Sequence, residues 1–280
     1  MCATLIARMS SGTLVDKAVI LARGAGSRMR TNAEVRLDPA QSAVADTGVK
    51  AMIPFGRPFL DFVLSGLADA GFAAACVVIG PEHDFVRDYY ERTQPRRIQL
   101  HFAIQAKPLG TADAVLAAEG FASGGEFIVL NSDNLYPPEV LVALRGLGEP
   151  GAVMFDESSL IEHSNIPRER VRSFAYAKVD AGGFLIELIE KPDERTLVAL
   201  RGFALVSMNC WRFSQEIFEA CRRVPLSPRG EYELPAAVRE AIRGGMRFKI
   251  VRSTAGVLDL SRRSDIAAVG ERLKNLQVSL

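Results

Sequence analysis

The 280-residue chain is poor in the residues that build disulfide frameworks and transition-metal sites, with only four cysteines and three histidines. No two cysteines stand in a C-x-x-C arrangement, and the histidines are scattered, so the sequence lacks zinc-site spacing. Cys76 lies in an apolar run, where a thiol is typically a small core residue. These absences exclude a disulfide-stabilised scaffold and predict a reduced, cytoplasmic protein.

The chain also lacks long hydrophobic runs and an excess of charge of one sign. No apolar stretch reaches the roughly 18–20 residues that span a bilayer, and the formal net charge is +1. The basic pairs Arg96-Arg97 and Arg222-Arg223 have no interleaved aromatic residues, which indicates solvated surface. We therefore expect no membrane and no nucleic-acid partner, and any phosphate must be bound by a local arrangement. Residues 1–14 show no signal-peptide pattern and are predicted to form a disordered leader; the sequence is compatible with a homo-oligomer.

What is present is the composition of a globular chain, with 48% hydrophobic and 24% charged residues. In the first half, continuous apolar runs predict strands covered on both faces, and helical spacing of apolar residues predicts helices between them. The predicted elements are strands at Lys17–Ala22, Ala75–Ile79, Ile98–Ile104 and Phe127–Leu130, helices at Phe59–Ala70 and after Thr111, and a long loop over Thr31–Lys50. This alternation predicts an α/β fold with a mixed, mostly parallel central sheet.

The second half has antiparallel character. Asp180-Ala-Gly-Gly183 lies between two strand-like segments and predicts a hairpin. Further strands are predicted at Phe203–Cys210 and Val257–Leu260, and helices at Ser214–Cys221, Leu234–Ile242 and Ser264–Leu276. No internal repeat, low-complexity segment or Pro/Ser linker separates the halves, so we predict one continuous domain over residues 15–280.

Four polar or glycine-rich segments follow predicted strands. They are Gly24–Arg28, Gln105–Thr111, Asn131–Asn134 and Glu190–Pro192. In open α/β sheets, ligands bind at the carboxyl ends of the strands, so these segments are expected to share one cleft. Their convergence is more informative than any one of them.

Two of these segments have properties that suit phosphate and metal binding. Gly24 and Gly26 let the backbone approach a phosphate, and Arg28 adds a planar cation. Asp133 is a carboxylate at a strand end, and Mg²⁺ prefers one or two carboxylates together with phosphate oxygens and water. In isolation, a short glycine motif more often forms a tight turn without a ligand. Asp133 alone fits a turn cap as well as a metal site. The segment is not a P-loop, because no Gly-Lys-Ser/Thr follows, and Met29 replaces the third glycine of the dinucleotide fingerprint.

Short motifs follow one another in a fixed order along the chain. They read Ala22-Arg-Gly-Ala-Gly-Ser-Arg-Met29, Lys50-Ala-Met-Ile-Pro54, Gly56-Arg-Pro-Phe-Leu60, Gln105-Ala-Lys-Pro-Leu-Gly-Thr-Ala-Asp-Ala-Val115, Leu130-Asn-Ser-Asp-Asn134 and Ile189-Glu-Lys-Pro192. This series resembles the L-A-x-G-x-G-[ST]-R, K-P-M-[LI]-P, G-x-P-[LF]-[IL], Q-x-x-P-L-G-T-A-x-A-[VIL], L-x-G-D-N and [VI]-E-K-P elements of the nucleoside-diphosphate-sugar pyrophosphorylases, the glucose-1-phosphate uridylyl- and thymidylyltransferase group. The resemblance implies a three-layer Rossmann-like (GT-A-like) fold.

The resemblance also implies an activity and roles for particular residues. The activity is in-line attack of a sugar 1-phosphate on the α-phosphate of an NTP, UTP or dTTP, with Mg²⁺ as cofactor. The implied catalytic residues are Arg28, Lys50, Asp133 and Lys191; the nucleotide-binding residues are Ala22, Gly24, Gly26, Gln105, Gly110 and Thr111; the sugar-binding residues are Asn134, Glu190, Asn209 and Glu231; the metal ligands are Asp133 and Asp259. Residues 15–155 would form a nucleotide-binding half, and residues 156–280 a sugar-phosphate-binding half with the C-terminal helices.

The sequence departs from the family pattern at four places. Arg23 replaces a small residue beside the nucleotide loop, the spacer between Arg28 and Lys50 is longer than usual, and Ala51 replaces a proline. The glycine that follows the second metal carboxylate in the family is missing after Asp259.

Two alternative functions stay open at this point. A nucleotidyltransferase for a non-sugar phosphate acceptor would share the glycine loop but would not need Glu190-Lys-Pro192. A non-catalytic sugar-nucleotide-binding regulator would keep the fold and lose the metal carboxylates or Lys191, yet Asp133 and Lys191 are both present.

Overall fold

A computed structural model of the chain describes residues 14–31, 35–200 and 204–280. The predicted leader, residues 1–14, lies outside these ranges except for Leu14. The strands are β1 Lys17–Leu21, β2 Ala74–Ile79, β3 Gln99–Ile104, β4 Phe127–Asn131, β5 Asn134–Leu135, β6 Gly151–Asp156, β7 Ala175–Val179, β8 Leu185–Glu190, β9 Leu205–Phe213, β10 Lys249–Ser253 and β11 Leu258–Asp259.

Helices alternate with most of these strands. They are α1 Ser27–Arg30, α2 Pro39–Thr47, α3 Phe59–Asp69, α4 Asp84–Thr93, α5 Thr111–Ala117, α6 Glu119–Ala122, α7 Pro138–Arg145, α8 Glu157–His163, α9 Arg168–Val171, α10 Glu194–Ala199, α11 Ile217–Arg223, α12 Leu234–Arg243 and α13 Asp265–Leu273, with a 3₁₀ turn at Lys50–Met52. None of the helices in the described ranges is long and apolar enough to cross a membrane.

Nine strands form one mixed sheet in the order β10-β6-β9-β4-β1-β2-β3, with β7 paired to β9 and β8 to β7. The pairs β10-β6, β4-β1, β1-β2 and β2-β3 are parallel, whereas β9 is antiparallel to β4, β6 and β7. The expected mixed, mostly parallel sheet is confirmed. The remaining strands, β5 and β11, form a separate two-stranded sheet.

The sheet has a hydrophobic core on each face, as the continuous apolar strands predict. Successive side chains of a strand point to opposite faces, and in β1 the buried Ile20 belongs to one core and the buried Val19 to the other. Leu130 and Val129 divide in the same way on β4. Helices cover both faces, which gives the three-layer α/β arrangement.

One sequence prediction is wrong: the long loop expected over Thr31–Lys50 contains helix α2, Pro39–Thr47, within its described residues 35–50. Helix α2 begins after Asp38, whose side chain accepts a hydrogen bond from the Gln41 amide at 2.8 Å, and Pro39 occupies its first position. It ends at Gly48, which has a left-handed φ of 81°. An Asx N-cap followed by proline, with a closing glycine, is a helix signal, but only Ala45 is buried on this helix, so the apolar periodicity is weak.

Candidate functional site

A cleft of about 230 Å³ opens at the carboxyl ends of β1, β3 and β4. Its lining comes from the glycine loop, from Gly48 and Lys50, from the segments after β3 and β4, and from the turn before α12: Leu21, Ala22, Arg23, Gly24, Ala25, Gly48, Lys50, Gln105, Pro108, Gly110, Thr111, Ala114, Asn131, Ser132, Asp133 and Glu231. Three of the four predicted segments therefore meet in one cleft. The fourth, which begins at Glu190, contributes no lining residue.

The glycine loop packs directly against the segment that leads to Lys50. Gly26 has a left-handed φ of 60°, and a side chain there would overlap the Gly48 backbone, with its Cβ 2.5 Å from the Gly48 Cα. Gly24 faces open space, where an added Cβ would meet nothing within 4 Å. This packing explains how Lys50 reaches the cleft in spite of the longer spacer after Arg28, because α2 folds the spacer back onto the loop.

Lys50 and Asp133 form an ion pair inside the cleft. The Lys50 Nζ lies 2.7 Å from the Asp133 Oδ2, and both side chains are about one-fifth exposed, at 21% and 19%. Burial lowers the pKa of Lys50, but the charge and hydrogen bond of Asp133, followed by the charge of Asp259, outweigh burial and raise that pKa above its usual value. The amine is therefore a cation at neutral pH. Arg28 is exposed and does not line the cleft, yet its charge opposes the rise of the Lys50 pKa, so it lies near the rim.

The small sheet of β5 and β11 brings the second predicted carboxylate to Asp133. Asp259 lies opposite Asn134 in this pair, and the Leu260 amide donates to the Asp133 carbonyl at 2.8 Å. Burial, and next the charge of Asp133, raise the pKa of Asp259 to about 6. The two carboxylates are thus close enough to interact electrostatically.

The Asp259 side chain is buried and held from several sides. Its Oδ1 accepts hydrogen bonds from Asn134 Nδ2 at 3.0 Å and from Ser261 Oγ at 2.8 Å. Its Oδ2 lies 3.1 Å from Arg170 Nη2, yet it has no partner of hydrogen-bond geometry in the described part of the chain. A carboxylate oxygen that accepts no hydrogen bond and lies beside a second carboxylate is the kind of oxygen ligand that Mg²⁺ prefers.

Gln105 is fixed at both its main chain and its side chain. Its Nε2 donates to Gly110 O at 2.9 Å and to Asp113 Oδ2 at 2.7 Å. Its carbonyl accepts a hydrogen bond from Arg23 Nε at 2.7 Å, and Arg23 in turn pairs with Glu82 at 3.1 Å. The unusual arginine beside the glycine loop therefore anchors the segment after β3.

Three further predicted nucleotide residues have structural roles in addition to their position at the cleft. The Ala22 amide donates to Val78 O at 3.0 Å, which extends the β1-β2 ladder. The Thr111 hydroxyl accepts a hydrogen bond from the Leu234 amide at 2.8 Å, at the start of α12. Gly110 has a φ of 104°, and a Cβ there would lie 2.5 Å from the Tyr232 carbonyl oxygen. The backbone around α5 is thus locked to the turn that carries Glu231.

The predicted acceptor residues fall into two groups. Asn134 is buried and donates to Asp259, so its amide supports the carboxylate pair. Glu190 lies at the end of β8 and pairs with Arg239 of α12 at 3.0 Å. The pKa of Arg229 is raised first by its hydrogen bond to Glu233 and further by the charges of Glu231 and Glu190. Glu190 therefore lies on the same side of the molecule as Glu231, beyond the edge of the cleft.

Lys191 and Asn209 share an uncommon backbone conformation. Their φ values are 45° and 57°, in the left-handed region that few non-glycine residues adopt. Asn209 lies inside β9, where the pairing with β6 shifts register between Val153 and Met154. Such strained positions concentrate at functional sites, which makes both residues consistent with the predicted acceptor side.

Sequence reasoning missed three residues that support this site. Asp113 accepts the hydrogen bond from Gln105, and its position inside the motif that begins at Gln105 is a signal that could have identified it. Arg170 binds Asp265 at 2.8 Å as well as Asp259. Arg263 donates to Met29 O at 2.8 Å and pairs with Asp46. The two arginines connect segments far apart in sequence, so no local pattern marks them.

Comparison with known proteins identifies the family and the fold. The chain matches the family model described as nucleotidyl transferase over residues 17–267. The UTP–glucose-1-phosphate uridylyltransferase AglF of Haloferax volcanii is 26% identical, over 92% of this chain and 96% of its own length. The glucose-1-phosphate thymidylyltransferase of Streptomyces griseus is 28% identical, over 85% of this chain and 59% of its own length. The chain spans 58% and 49% of the length of two further relatives.

A solved structure has the same fold. The UDP-glucose pyrophosphorylase crystallised as a complex with UDP-glucose aligns with a TM-score of 0.71, at 16% identity, over 92% of this chain and 98% of that chain. At this identity the alignment shows a shared fold.

Proposed function

The chain belongs to the nucleotidyl transferase family, and we propose that it forms a nucleoside-diphosphate sugar and pyrophosphate from UTP or dTTP and a sugar 1-phosphate. The main support is one cleft lined by Gly24, Lys50, Gln105, Asp133 and Glu231. These residues offer backbone for phosphate, a cation, an amide for a base, a carboxylate and a polar group for the acceptor. The names of the Haloferax and Streptomyces relatives favour a sugar phosphate as that acceptor.

The reaction requires that the two substrates be positioned and that their negative charge be compensated. The attacking oxygen of a sugar phosphate is already anionic, so the reaction needs no general base. The barrier comes from bringing two anions together and from charge that develops on the leaving pyrophosphate. In our proposal, the loop at Gly24 and Gly26 holds the triphosphate, Lys50 and Arg28 offset its charge, and Lys191 holds the acceptor phosphate.

Asp133 and Asp259 would hold Mg²⁺, and that ion, when bound, supplies positive charge at the phosphate oxygens. The carboxylate pair and the Asp259 Oδ2 without a hydrogen bond support this assignment. Asn134 and Ser261 orient Asp259 through its other oxygen. We assign the sugar contacts to Glu190, Asn209 and Glu231. Asn134, which donates to Asp259, is assigned to orienting that metal carboxylate.

The protein is proposed to work in the reducing cytoplasm. Among the described residues, Cys76, Cys210 and Cys221 are buried and free, and burial raises the pKa of the Cys76 thiol to about 12. Thiols held in the protonated form are poor nucleophiles, so these cysteines act as core residues.

The test is pyrophosphate release by the purified protein with Mg²⁺. UTP, dTTP, ATP and CTP are each combined with several sugar 1-phosphates, and with glycerol 3-phosphate as the non-sugar acceptor; the nucleoside-diphosphate sugar is identified by mass spectrometry. Asp133→Asn should lower kcat by at least about 100-fold, as loss of an electrostatic contact at a reacting centre typically does. Its melting temperature should stay within a few degrees of that of the wild type.

Asp69→Asn is the matched control, because Asp69 is an exposed carboxylate paired with Arg97 at 2.7 Å. It should keep full turnover. Pyrophosphate release with glycerol 3-phosphate alone would favour the non-sugar acceptor, and tight binding of a UDP-sugar without any turnover would favour the regulator.

A further inference from the structure

The Gln105 amide has its orientation set by its neighbours. Both groups facing the nitrogen are acceptors, because Gly110 contributes a carbonyl and Asp113 a carboxylate, at 2.9 and 2.7 Å from Nε2. A side-chain amide has two N–H donors and one acceptor oxygen. Both donors are therefore used within the protein, and Oε1 is the atom that remains for a ligand.

The rest of Gln105 has little freedom to change this arrangement. The residue is 3% exposed. Its amide N–H donates to Ile79 O at 2.9 Å, and its carbonyl accepts from Arg23 Nε at 2.7 Å. Rotating the side-chain amide by 180° would place Oε1 against the Gly110 carbonyl and the Asp113 carboxylate, which is electrostatically repulsive. The cleft thus faces a fixed hydrogen-bond acceptor.

We propose that Asp113 is a positioning residue that makes Gln105 an acceptor-only reader of the nucleobase. This inference rests on the proposed function. In this proposal the ring nitrogen N3 of a pyrimidine faces Oε1, so it must carry a hydrogen, as it does in the imide of uracil or thymine. Cytosine has the same size but an unprotonated ring nitrogen at that position, so its lone pair faces the Oε1 lone pair. The site therefore selects UTP and dTTP, and rejects CTP.

The size of the selection follows from the burial of the amide. A site built to hydrogen-bond its substrate rejects an analogue that lacks the group by about 10⁴–10⁵-fold. Part of the cleft is open, so we expect kcat/KM for UTP to exceed that for CTP by at least about 1,000-fold. Equal use of the two nucleotides by the wild type would overturn the inference.

The role of Asp113 is tested through the ratio of kcat/KM for UTP to that for CTP. Asp113→Ala removes one acceptor and frees the amide, so this ratio should shrink by about tenfold or more, the effect of one lost hydrogen bond. Asp113→Asn should retain most of the selectivity, because its Oδ1 can accept the same hydrogen bond. Asp84→Ala is the control, since Asp84 is an exposed acid in the first turn of α4; its ratio should equal that of the wild type.

A double-mutant cycle separates positioning from a general structural effect. In a Gln105→Leu background, Asp113→Ala should leave the UTP-to-CTP ratio unchanged, because Asp113 acts through Gln105. Calorimetric binding of UTP and CTP without an acceptor gives the same comparison without turnover. Should Asp113→Ala fail to fold, Asp113→Ser, whose hydroxyl is too short to reach the amide, replaces it.

The outcomes distinguish this inference from the proposed function. Absence of turnover with every nucleotide and sugar phosphate contradicts the proposed function. Turnover of UTP with a wild-type UTP-to-CTP ratio in Asp113→Ala contradicts the positioning role alone. The positioning role would also be contradicted if Asp113→Ala lowered the UTP-to-CTP ratio by the same factor in the Gln105→Leu background as in the wild type.

Discussion

At the scale of single residues, His83 should make the stability of the protein depend on pH, because its surroundings shift its pKa. It is 8% exposed, and its Nδ1 accepts a hydrogen bond from the Gly80 amide at 3.3 Å. Burial lowers the pKa of His83 below 6.5; Glu82 opposes this shift and Arg23 adds to it. In the unfolded chain the imidazole keeps its ordinary pKa of about 6.5, so the unfolded state binds more protons in mild acid.

Stability should therefore fall as the pH decreases from about 6.5 toward the lower folded pKa, and this contribution should be constant above neutrality. His83→Asn keeps an acceptor near the Nδ1 position but cannot be protonated. We expect the wild-type melting temperature to drop more between pH 7 and pH 5 than that of His83→Asn, measured by calorimetry without nucleotide. Parallel pH profiles of the two proteins would show that His83 is not responsible.

Residue identities at the cleft were predictable where one short motif encodes them. Lys50, Gln105 and Asp133 each stand in such a motif, and the structure brings them to one cleft. Arg170 could not be found in this way, because it contacts Asp259 and Asp265 only after the chain has folded. A long-range ion pair leaves no periodic trace in a sequence.

At the scale of elements, the two glycines of the loop after β1 have different tasks. Gly26→Ala should lower the free energy of unfolding by about 1–3 kcal/mol. Alanine would have to adopt the left-handed φ of 60°, and its Cβ would overlap the Gly48 backbone. Gly24→Ala is the matched control: its Cβ meets no protein atom within 4 Å, so stability should stay within about 0.5 kcal/mol. Urea unfolding of both variants without nucleotide measures the difference.

The Gly24 variant also reports on binding. Its Cβ would occupy space where the proposal puts phosphate, so the KM for the nucleoside triphosphate should rise although stability does not. Equal stability losses in the two variants would contradict the packing argument, and an unchanged KM in Gly24→Ala would contradict the phosphate contact.

Elements with strong apolar periodicity were predictable, and those with polar surfaces were not. The predicted helix at Phe59–Ala70 matches α3, Phe59–Asp69, and the predicted strand at Ala75–Ile79 matches β2, Ala74–Ile79. Helix α2 was not predicted because its apolar face is weak, with only Ala45 buried. Its N-cap, its proline and its closing glycine were the only clear signals of a helix. Strand β6 was missed although Gly151–Asp156 is an apolar run, since no turn signal separates it from α8.

At the scale of the whole molecule, the two halves of the chain share one sheet. Strand β9 lies between β4 and β6, and Trp211 is opposite Val129 on one side and Ala152 on the other. The other neighbour of β6 is β10, which also comes from the second half. A fragment of residues 15–155 would leave β6 without a paired strand and β4 with an open edge. Sequence alone predicted one continuous domain but could not show this interleaving, because strand order is not encoded locally.

This topology predicts that the chain unfolds in a single cooperative step. Trp211 is the sole tryptophan of the sequence and is fully buried in β9, so its fluorescence reports on the second half. Amide hydrogen exchange of β1 reports on the first. Because β9 is hydrogen-bonded into the first half, both probes should give the same free energy of unfolding in denaturant, within experimental error. A fragment of residues 15–155 should show no cooperative transition, and two separate transitions in the full chain would mean that the halves are independent domains.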